Sequence, residues 1–310
     1  MSENFAVLAE GLEKRFGRVR ALDGLDLSVR FGEVHGFLGP NGAGKSTTIR
    51  ILLGLARRSG GTATVFGLDP WEDAVEIHRR IASVPGDVSI WPNLTGGEAI
   101  DLIARLRGVT HRDQQYLAER ERLCSAFLLD PRKKGRSYSK GNRQKVALVA
   151  ALAVPAELYV FDEPTSGLDP LMESVFREEV VRLRERGAAV LLSSHILSEV
   201  EQLCDRISII KDGRTVESGT LAELGHFRMT EVSFSGSGES LRGLDGVSDY
   251  AESAGRTSLT LPADRVALLL PEIARIGARD LRVAPPTLES LFLHHYGKDP
   301  ATVAGKHGGS

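Results

Sequence analysis

The sequence contains two cysteines and no long apolar run among its 310 residues. Cys124 and Cys204 lie far apart, which excludes a disulfide framework or a cysteine-rich zinc site and predicts core thiols in a reducing cytosol. The longest wholly apolar run, Val146 to Val154, is much shorter than the ~20 residues of a membrane-spanning helix. Met1 to Ala9 lacks a basic segment before an apolar core, so we expect no secretory signal. Any membrane role must then come through a partner.

An excess of positive charge is also missing, because 39 Lys and Arg residues stand against 41 Asp and Glu. Proteins that coat nucleic acids or anionic membranes need a basic excess, so the balance argues against both and predicts no nucleic-acid partner. Hydrophobic residues make up 42% and charged residues 26% of the chain, as in ordinary globular proteins. A chain of this length is expected to form roughly two domains.

Strand-like and helix-like segments alternate over the first two-thirds of the chain, which is typical of an α/β sheet with crossover helices. From Thr95 to about Ala153 the pattern is helical, and Thr95 and Glu98 have the spacing of a capping box. The predicted strands are Phe5 to Ala9, Leu25 to Val29, Glu33 to Leu38, Thr62 to Phe66, Ile81 to Val84, Leu158 to Phe161, Ala189 to Leu192, Ile207 to Ile210 and Thr215 to Glu217.

A second unit is predicted from about His226 to Gly297. Its segments have the patterns of a strand, a short helix, two strands, a helix, a strand and a final helix. This order is that of a small α+β sandwich of the ferredoxin-like type. The remaining residues, 298–310, are expected to form a flexible tail.

A phosphate-binding loop is predicted directly after the Glu33 to Leu38 strand. The residues Gly39-Pro40-Asn41-Gly42-Ala43-Gly44-Lys45-Ser46-Thr47 match G-x-x-x-x-G-K-[ST] and run into a predicted helix. Glycines let the backbone approach a triphosphate, and the helix N-terminus directs N–H groups at the anion. Lys45 is expected to reach the β- and γ-phosphates, and Ser46 to bind Mg²⁺. A chance glycine-rich turn is the alternative, which the aligned strand and helix disfavour.

Two acidic residues follow the apolar strand Leu158 to Phe161. Asp162 is expected to hold Mg²⁺ through water, and Glu163 to act as the general base on the attacking water. Alone, this pattern would more simply be a strand ending in a solvated turn. His195 follows another strand, and we expect it beside the γ-phosphate, where it could hold the attacking water.

With three further motifs, these residues resemble the ATP-binding cassette (ABC) ATPases. Tyr138-Ser139-Lys140-Gly141-Asn142-Arg143-Gln144 is similar to that family's signature motif, and Ser166-Gly167-Leu168-Asp169 matches its D-loop. Phe16 stands where the family places an aromatic that stacks on adenine. The resemblance covers roughly residues 4 to 222. It implies an α/β P-loop ABC cassette over 1–222, with a mixed sheet core and a helical subdomain at about 88–153.

The resemblance also implies how the cassette works. In the family, two cassettes enclose two ATP molecules head to tail, so a homodimer within the transporter is expected. Ser139 and Gly141 would then contact the γ-phosphate bound by the partner, and Asp169 would lie at the same interface. The cofactors implied are ATP and Mg²⁺, and residues 226–297 are expected to be an accessory or dimerisation domain.

Two departures from the family pattern stand at functional positions. The family has a glutamine after the Ile81 to Val84 strand, whereas this chain has Gly86 followed by Asp87. Either Asp87 replaces that side chain as a metal ligand, or water completes the Mg²⁺ shell. In the signature motif, Lys140 and Asn142 replace the usual glycine and glutamine.

Within the family, the chain is similar to ATPase subunits of ABC-2 type exporters of antibiotics and drugs, such as daunorubicin and tetronasin. Pro286 to Phe292 resembles a pattern near the end of those subunits, and the segment from Trp91 to Glu98 resembles their contact with a permease. The resemblance implies an ATPase at the cytoplasmic face of the membrane, attached through a separate multi-span permease. The alternatives are a soluble ABC ATPase of translation or DNA maintenance, and a nucleotide-gated regulator.

Overall fold

The computed structural model describes residues 4–110, 112–194, 196–224 and 229–284. The chain divides into two compact units, Met1–Ser218 and Gly219–Ser310. The domain limits expected from the sequence, 1–222 and 226–297, stay a prediction. Residues 298–310, the expected tail, lie outside the described residues.

The strands of the first unit form two sheets. A six-stranded sheet has the order β5-β6-β7-β3-β8-β9, and a three-stranded antiparallel sheet has the order β2-β1-β4. In chain order the strands are β1 (Phe5–Phe16), β2 (Val19–Arg30), β3 (Val34–Leu38), β4 (Gly60–Val65), β5 (Ile81–Val84), β6 (Leu158–Asp162), β7 (Ala189–Ser194), β8 (Arg206–Lys211) and β9 (Arg214–Gly219).

The helices of this unit follow the strands as crossovers or form a separate helical stretch between β5 and β6. In chain order they are α1 (Lys45–Leu52), α2 (Ala74–Arg80), α3 (Gly96–Leu106), α4 (Gln114–Ala126), α5 (Lys140–Leu152), α6 (Pro170–Glu185) and α7 (Leu197–Leu203). The expected capping box is confirmed at the start of α3, where Thr95 and Glu98 each accept a hydrogen bond from the other's backbone N–H. The predicted α/β fold with a mixed sheet core is confirmed.

The parallel strands of the larger sheet bring the expected functional positions to one edge. β3 pairs in parallel with β7 and β8, and β6 pairs in parallel with β5 and β7. All residues of β3 are buried, as expected for a strand covered on both faces. Because carboxyl ends of parallel strands share an edge, the loop after Leu38, Asp162 and Ser194 meet there.

The β1–β2 hairpin is longer than the sequence predicted. Its pairing continues to Phe16, which lies opposite Val19, although the sequence pattern indicated a strand over Phe5 to Ala9 alone. The second half of β1 is rich in charged residues and partly exposed, so its alternation is hard to recognise. Gly17, at φ 57°, supplies the left-handed residue in the turn.

The second unit has its own sheet and core. Its elements are β10 (Met229–Ser235), β11 (Ser248–Ser253), β12 (Arg256–Pro262), α8 (Val266–Arg275) and β13 (Arg279–Ala284), with a short 3₁₀ turn between β10 and β11. The sheet is antiparallel with the order β11-β12-β10-β13, which is the ferredoxin-like order. The predicted topology is therefore confirmed through β13, and the predicted last helix lies outside the described residues. The core consists of Val232, Phe234, Leu241, Leu259, Leu261, Leu269 and Ile273.

The structure also gives the surroundings of the two cysteines and of Trp91. Cys124 and Cys204 are free and buried, and burial raises the pKa of both thiols, so they are the inert core thiols that the sequence predicted. Trp91 is 49% exposed, which leaves its indole available at the surface.

Candidate nucleotide site

The loop between β3 and α1 has a backbone that its glycines make possible. Gly42 and Gly44 have φ of 86° and 114°, a region that residues with a Cβ rarely adopt. A Cβ on Gly44 would also lie 2.6 Å from Leu22 Cδ2, because β2 packs against the loop. The Ala43 carbonyl accepts a hydrogen bond from Gly213 N at 3.0 Å. The loop is therefore held against both β2 and the turn that follows β8.

Lys45 begins α1 and turns its ammonium group back into the loop. Its Nζ donates to the carbonyl oxygens of Gly39 at 2.5 Å and Pro40 at 3.2 Å, and the residue is only 6% exposed. Burial lowers the pKa of Lys45, while the nearby charges of Glu163 and Asp162 oppose that shift. A cation enclosed by its own loop can exchange carbonyl partners for phosphate oxygens when a triphosphate binds.

The Asp162 carboxylate, at the end of β6, lies between two serine hydroxyls. Ser46 Oγ donates to Oδ2 at 3.1 Å, and Ser193 Oγ donates to Oδ1. A serine hydroxyl and a carboxylate are oxygen donors of the kind that Mg²⁺ prefers, and the metal usually keeps several waters beside one or two carboxylates. Ser46 and Asp162 therefore fit a Mg²⁺ ion held partly by protein and partly by water.

Glu163 follows Asp162 in an uncommon backbone conformation. Its φ is 49°, in the left-handed region, which is uncommon for a residue with a side chain. Two backbone hydrogen bonds fix the residue: Glu163 N donates to Ser193 O at 3.0 Å, and Glu163 O accepts from Ser166 N at 3.2 Å. Strain of this kind clusters at functional sites, where surrounding structure maintains it.

A cavity of about 520 Å³ opens beside these residues. Ser46, Asp162 and Glu163 line it, together with Gly86 and Asp87 from the loop after β5. A Cβ added to Gly86 would lie 3.4 Å from Asp162 Oδ2, so a side chain at this position would contact that carboxylate directly. Asp87 thus lines the same cavity as Ser46 and Asp162, which it must do if it replaces the family's glutamine as a Mg²⁺ ligand.

The signature and D-loop residues lie elsewhere and are not among the residues that line this cavity. The Ser139 hydroxyl accepts a hydrogen bond from Asn142 N at 3.3 Å and caps α5, and Asp169 Oδ1 accepts from Met172 N at 3.0 Å and caps α6. A Cβ on Gly141 would lie 2.4 Å from the Gly167 carbonyl oxygen, so the two motifs touch within one chain. Their phosphate roles require a second protomer and stay a prediction.

Phe16 is a half-exposed aromatic at the end of the β1–β2 hairpin. Its relative exposure is 53%, and Lys14 Nζ lies 4.8 Å from the ring centre. A ring with an open face can stack on a base, as expected for adenine. His195 lies outside the described residues, so its predicted role as a catalytic residue stays a prediction.

A family model described as "ABC transporter" matches residues 22–166. The chain is 37% identical over 309 residues to a daunorubicin resistance ATP-binding protein, DrrA3, from Streptomyces coeruleorubidus, covering 95% of this chain and 96% of that protein. The chain belongs to the ABC transporter family. As an ABC ATPase it binds and hydrolyses ATP.

Other comparisons with this ABC ATPase agree. It is 32% identical over 304 residues to the linearmycin resistance ATP-binding protein LnrL of Bacillus subtilis (strain 168), covering 94% of this chain and 98% of that protein. An ATP-binding subunit of an ABC transporter matches with a TM-score of 0.67 and 31% identity, over 70% of this chain and 91% of that one. A dimeric cassette bound to ADP and phosphate matches in fold, with a TM-score of 0.64, 23% identity and coverage of 69% and 98%.

The ABC ATPase also contains site residues that the sequence reasoning missed. Ser193 donates to Asp162, and Gln144 Nε2 donates to the Pro164 carbonyl at 2.8 Å. Thr165 and Ser194 both donate to Glu199 Oε2 at 3.1 Å. The pair Ser193-Ser194 at the end of a buried strand was a usable signal. Gln144 was noticed only as the last residue of the signature-like segment and was given no role of its own.

Within the described ranges, no helix is both long and apolar enough to cross a membrane.

Proposed function

We propose that this ABC ATPase uses MgATP hydrolysis in a head-to-tail homodimer to export an antibiotic or a similar drug through a separate membrane permease. The observation that carries the nucleotide chemistry is the Ser46–Asp162 contact beside Lys45 and Glu163. The export proposal is supported by two relatives named for daunorubicin and linearmycin resistance, each aligned over almost the whole chain.

Each residue has a distinct part in the proposed reaction. The loop from Gly39 to Thr47 and the buried Lys45 bind the phosphates, and Phe16 stacks on the adenine.

Ser46 and Asp162 hold Mg²⁺, with Asp87 or water completing its shell; the bound ion would neutralise charge on the β- and γ-phosphate oxygens. Glu163 accepts a proton from the attacking water, and His195 holds that water.

Closure of the dimer would place Ser139 and Gly141 of one protomer against the ATP of the other. ATP then favours the closed dimer, and hydrolysis releases it, because the nucleotide binds the two states with different affinity. Residues 226–297 are proposed to contribute to dimerisation. Trp91, exposed after the loop that carries Asp87, is a suitable anchor for the permease, since tryptophan is enriched at interface centres. The protein would then lie at the cytoplasmic face of the membrane.

Two experiments test this proposal separately. Glu163→Gln is expected to retain ATP binding, lose turnover and accumulate as a dimer in ATP; normal turnover would remove Glu163 as the base. Affinity purification from detergent-solubilised native membranes, followed by mass spectrometry, is expected to recover a multi-span membrane protein in stoichiometric amount. Recovery from cytosol alone or with ribosomes would contradict export and favour the soluble alternative.

A further inference from the structure

Gln144 is a buried amide on α5 whose partner is next to the proposed catalytic base. The residue is 2% exposed, and its Nε2 donates a 2.8 Å hydrogen bond to the Pro164 carbonyl oxygen. Pro164 directly follows Glu163. A buried carbonyl without a partner is strongly disfavoured, so this hydrogen bond fixes the peptide plane between Pro164 and Thr165, which is the second peptide after Glu163.

The place of this hydrogen bond, at the residue directly after Glu163, matters because Glu163 has a left-handed backbone conformation that is unfavourable for a residue with a side chain. Ser193 O fixes its N–H, and Ser166 N fixes its carbonyl. Both of these are backbone hydrogen bonds, which a substitution cannot easily remove. The Gln144 hydrogen bond comes from a side chain, so it can be removed without changing Glu163 or its neighbours.

α5 also touches the loop after Glu163 at two further points. Lys140 Nζ lies 3.0 Å from Ser166 Oγ, and Gly141 packs so closely against Gly167 that a Cβ would lie 2.4 Å from its carbonyl oxygen. The first two turns of α5 therefore follow the course of residues 164–167. A shift of α5 would be transmitted to the loop, and Gln144 is the contact nearest Glu163.

We propose that Gln144 is a positioning residue that keeps the Glu163 carboxylate oriented towards the attacking water and couples this orientation to α5. The proposal rests on the role of Glu163 as general base. It assigns Gln144 no contact with ATP, so its removal acts on the chemical step rather than on nucleotide binding.

The test compares three variants of the full chain by ATPase kinetics and by equilibrium binding of ATP. Gln144→Leu removes the donor at similar volume and is expected to lower kcat about tenfold while KM and the Kd for ATP change less than about twofold. Val146→Ala, which shortens a fully buried side chain of the same helix, is the matched control for lost packing. It is expected to lower the melting temperature without a comparable loss of kcat.

Gln144→Glu adds a readout that a purely structural role would not change. A neutral carboxyl can donate to the Pro164 carbonyl, whereas a carboxylate cannot, and burial raises the pKa of a carboxyl group. The kcat of Gln144→Glu relative to the unmodified protein is therefore expected to rise as the pH is lowered from about 9 to about 6. If the kcat of Gln144→Glu relative to the unmodified protein stays as low as that of Gln144→Leu over the whole pH range, Gln144 does not act through this hydrogen bond.

The remaining outcomes separate the positioning role of Gln144 from the general-base role of Glu163 on which it rests. Normal kcat in Gln144→Leu, or an equal loss in Val146→Ala, overturns the positioning role even when Glu163→Gln is inactive. Turnover retained by Glu163→Gln instead removes the general base itself, and the inference about Gln144 falls with it.

Discussion

Ser46 and Asp162 lie 116 residues apart in the sequence, yet the Ser46 hydroxyl donates a 3.1 Å hydrogen bond to the Asp162 carboxylate. The contact joins the first turn of α1, directly after the phosphate loop, to the end of β6 at the same edge of the sheet. The hydroxyl and carboxylate oxygens therefore lie close enough together to serve as ligands of one Mg²⁺ ion.

Ser46→Ala is expected to raise the Mg²⁺ concentration for half-maximal ATPase activity about tenfold, because one ligand is lost and Asp162 loses a partner. The measurement is ATPase rate against free Mg²⁺ at saturating ATP. Ser83→Ala, at another serine that lines the same cavity, is the control. An unchanged Mg²⁺ requirement in Ser46→Ala would show that the hydroxyl is not a ligand.

Asp87→Asn distinguishes the two ways of completing the Mg²⁺ shell. If Asp87 supplies a ligand where Gly86 has no side chain, loss of its charge is expected to raise the Mg²⁺ requirement several-fold. We expect this result because Asp87 lines the cavity with Ser46 and Asp162. If ATPase activity of Asp87→Asn depends on Mg²⁺ concentration as it does in the unmodified protein, water rather than Asp87 completes the Mg²⁺ shell.

Lys45→Met is expected to weaken ATP binding about 100-fold or more, because the phosphates lose the one ammonium group enclosed by their loop. Methionine keeps much of the aliphatic volume of Lys45 and removes its charge. Burial disfavours that charge, as the lowered pKa of Lys45 indicates. The folded state without nucleotide should therefore survive, as judged by thermal unfolding. Equilibrium titration with ATP provides the affinity, and an unaltered Kd would refute the assignment of the loop.

Local sequence predicted most of the elements that carry the site. The strands ending at Leu38 and Asp162 were recognisable because buried parallel strands are continuously apolar. The helix starting at Lys45 was recognisable because it follows the phosphate-loop motif, and the one starting at Gly96 because Thr95 and Glu98 have the spacing of a capping box. Bounds were less predictable where one face is exposed, as in the second half of β1. The charged residues there hide an alternation that only cross-strand pairing makes visible.

The contacts between distant segments could not be predicted from local patterns. Ser193 reaches Asp162 because β6 and β7 are neighbours in the sheet, and Gln144 reaches Pro164 because α5 packs along the following loop. Strand order and helix packing decide both contacts, and neither is encoded in the periodicity of one segment. The left-handed conformation of Glu163 likewise depends on those surroundings.

Acid sensitivity is predicted for the buried pair Glu33 and His35, at the start of the strand that leads to the phosphate loop. Burial alone would raise the pKa of Glu33, but hydrogen bonds from His35 and from Arg30 N bring the pKa below 4.5. This stabilisation is therefore present above pH 4.5 and lost as the pH falls through the lower folded pKa. Glu33→Gln is expected to lower the free energy of unfolding by about 1–2 kcal/mol at neutral pH.

Urea unfolding of Glu33→Gln and of the unmodified protein, from pH 7 to pH values well below 4.5, tests the sign of this effect. The difference in unfolding free energy should shrink below pH 4.5, because protonation then removes the Glu33 carboxylate from the unmodified protein as well. Glu178→Gln, at an exposed glutamate of α6, measures the background of replacing a carboxylate by an amide. A difference that grows on acidification would contradict the assignment to Glu33.

Deletion of residues 226–310 is expected to leave a folded cassette that binds ATP with unchanged affinity. The first unit has its own core around the phosphate loop, and the second unit has a separate one, so removing one core should not expose the other's interior. What the truncated chain should lose is subunit association, measured by sedimentation of the Glu163→Gln form in ATP. If the truncated Glu163→Gln chain dimerises as strongly as the full-length one, the proposed dimerisation role of residues 226–297 is wrong; if it fails to fold, the two units are not independent.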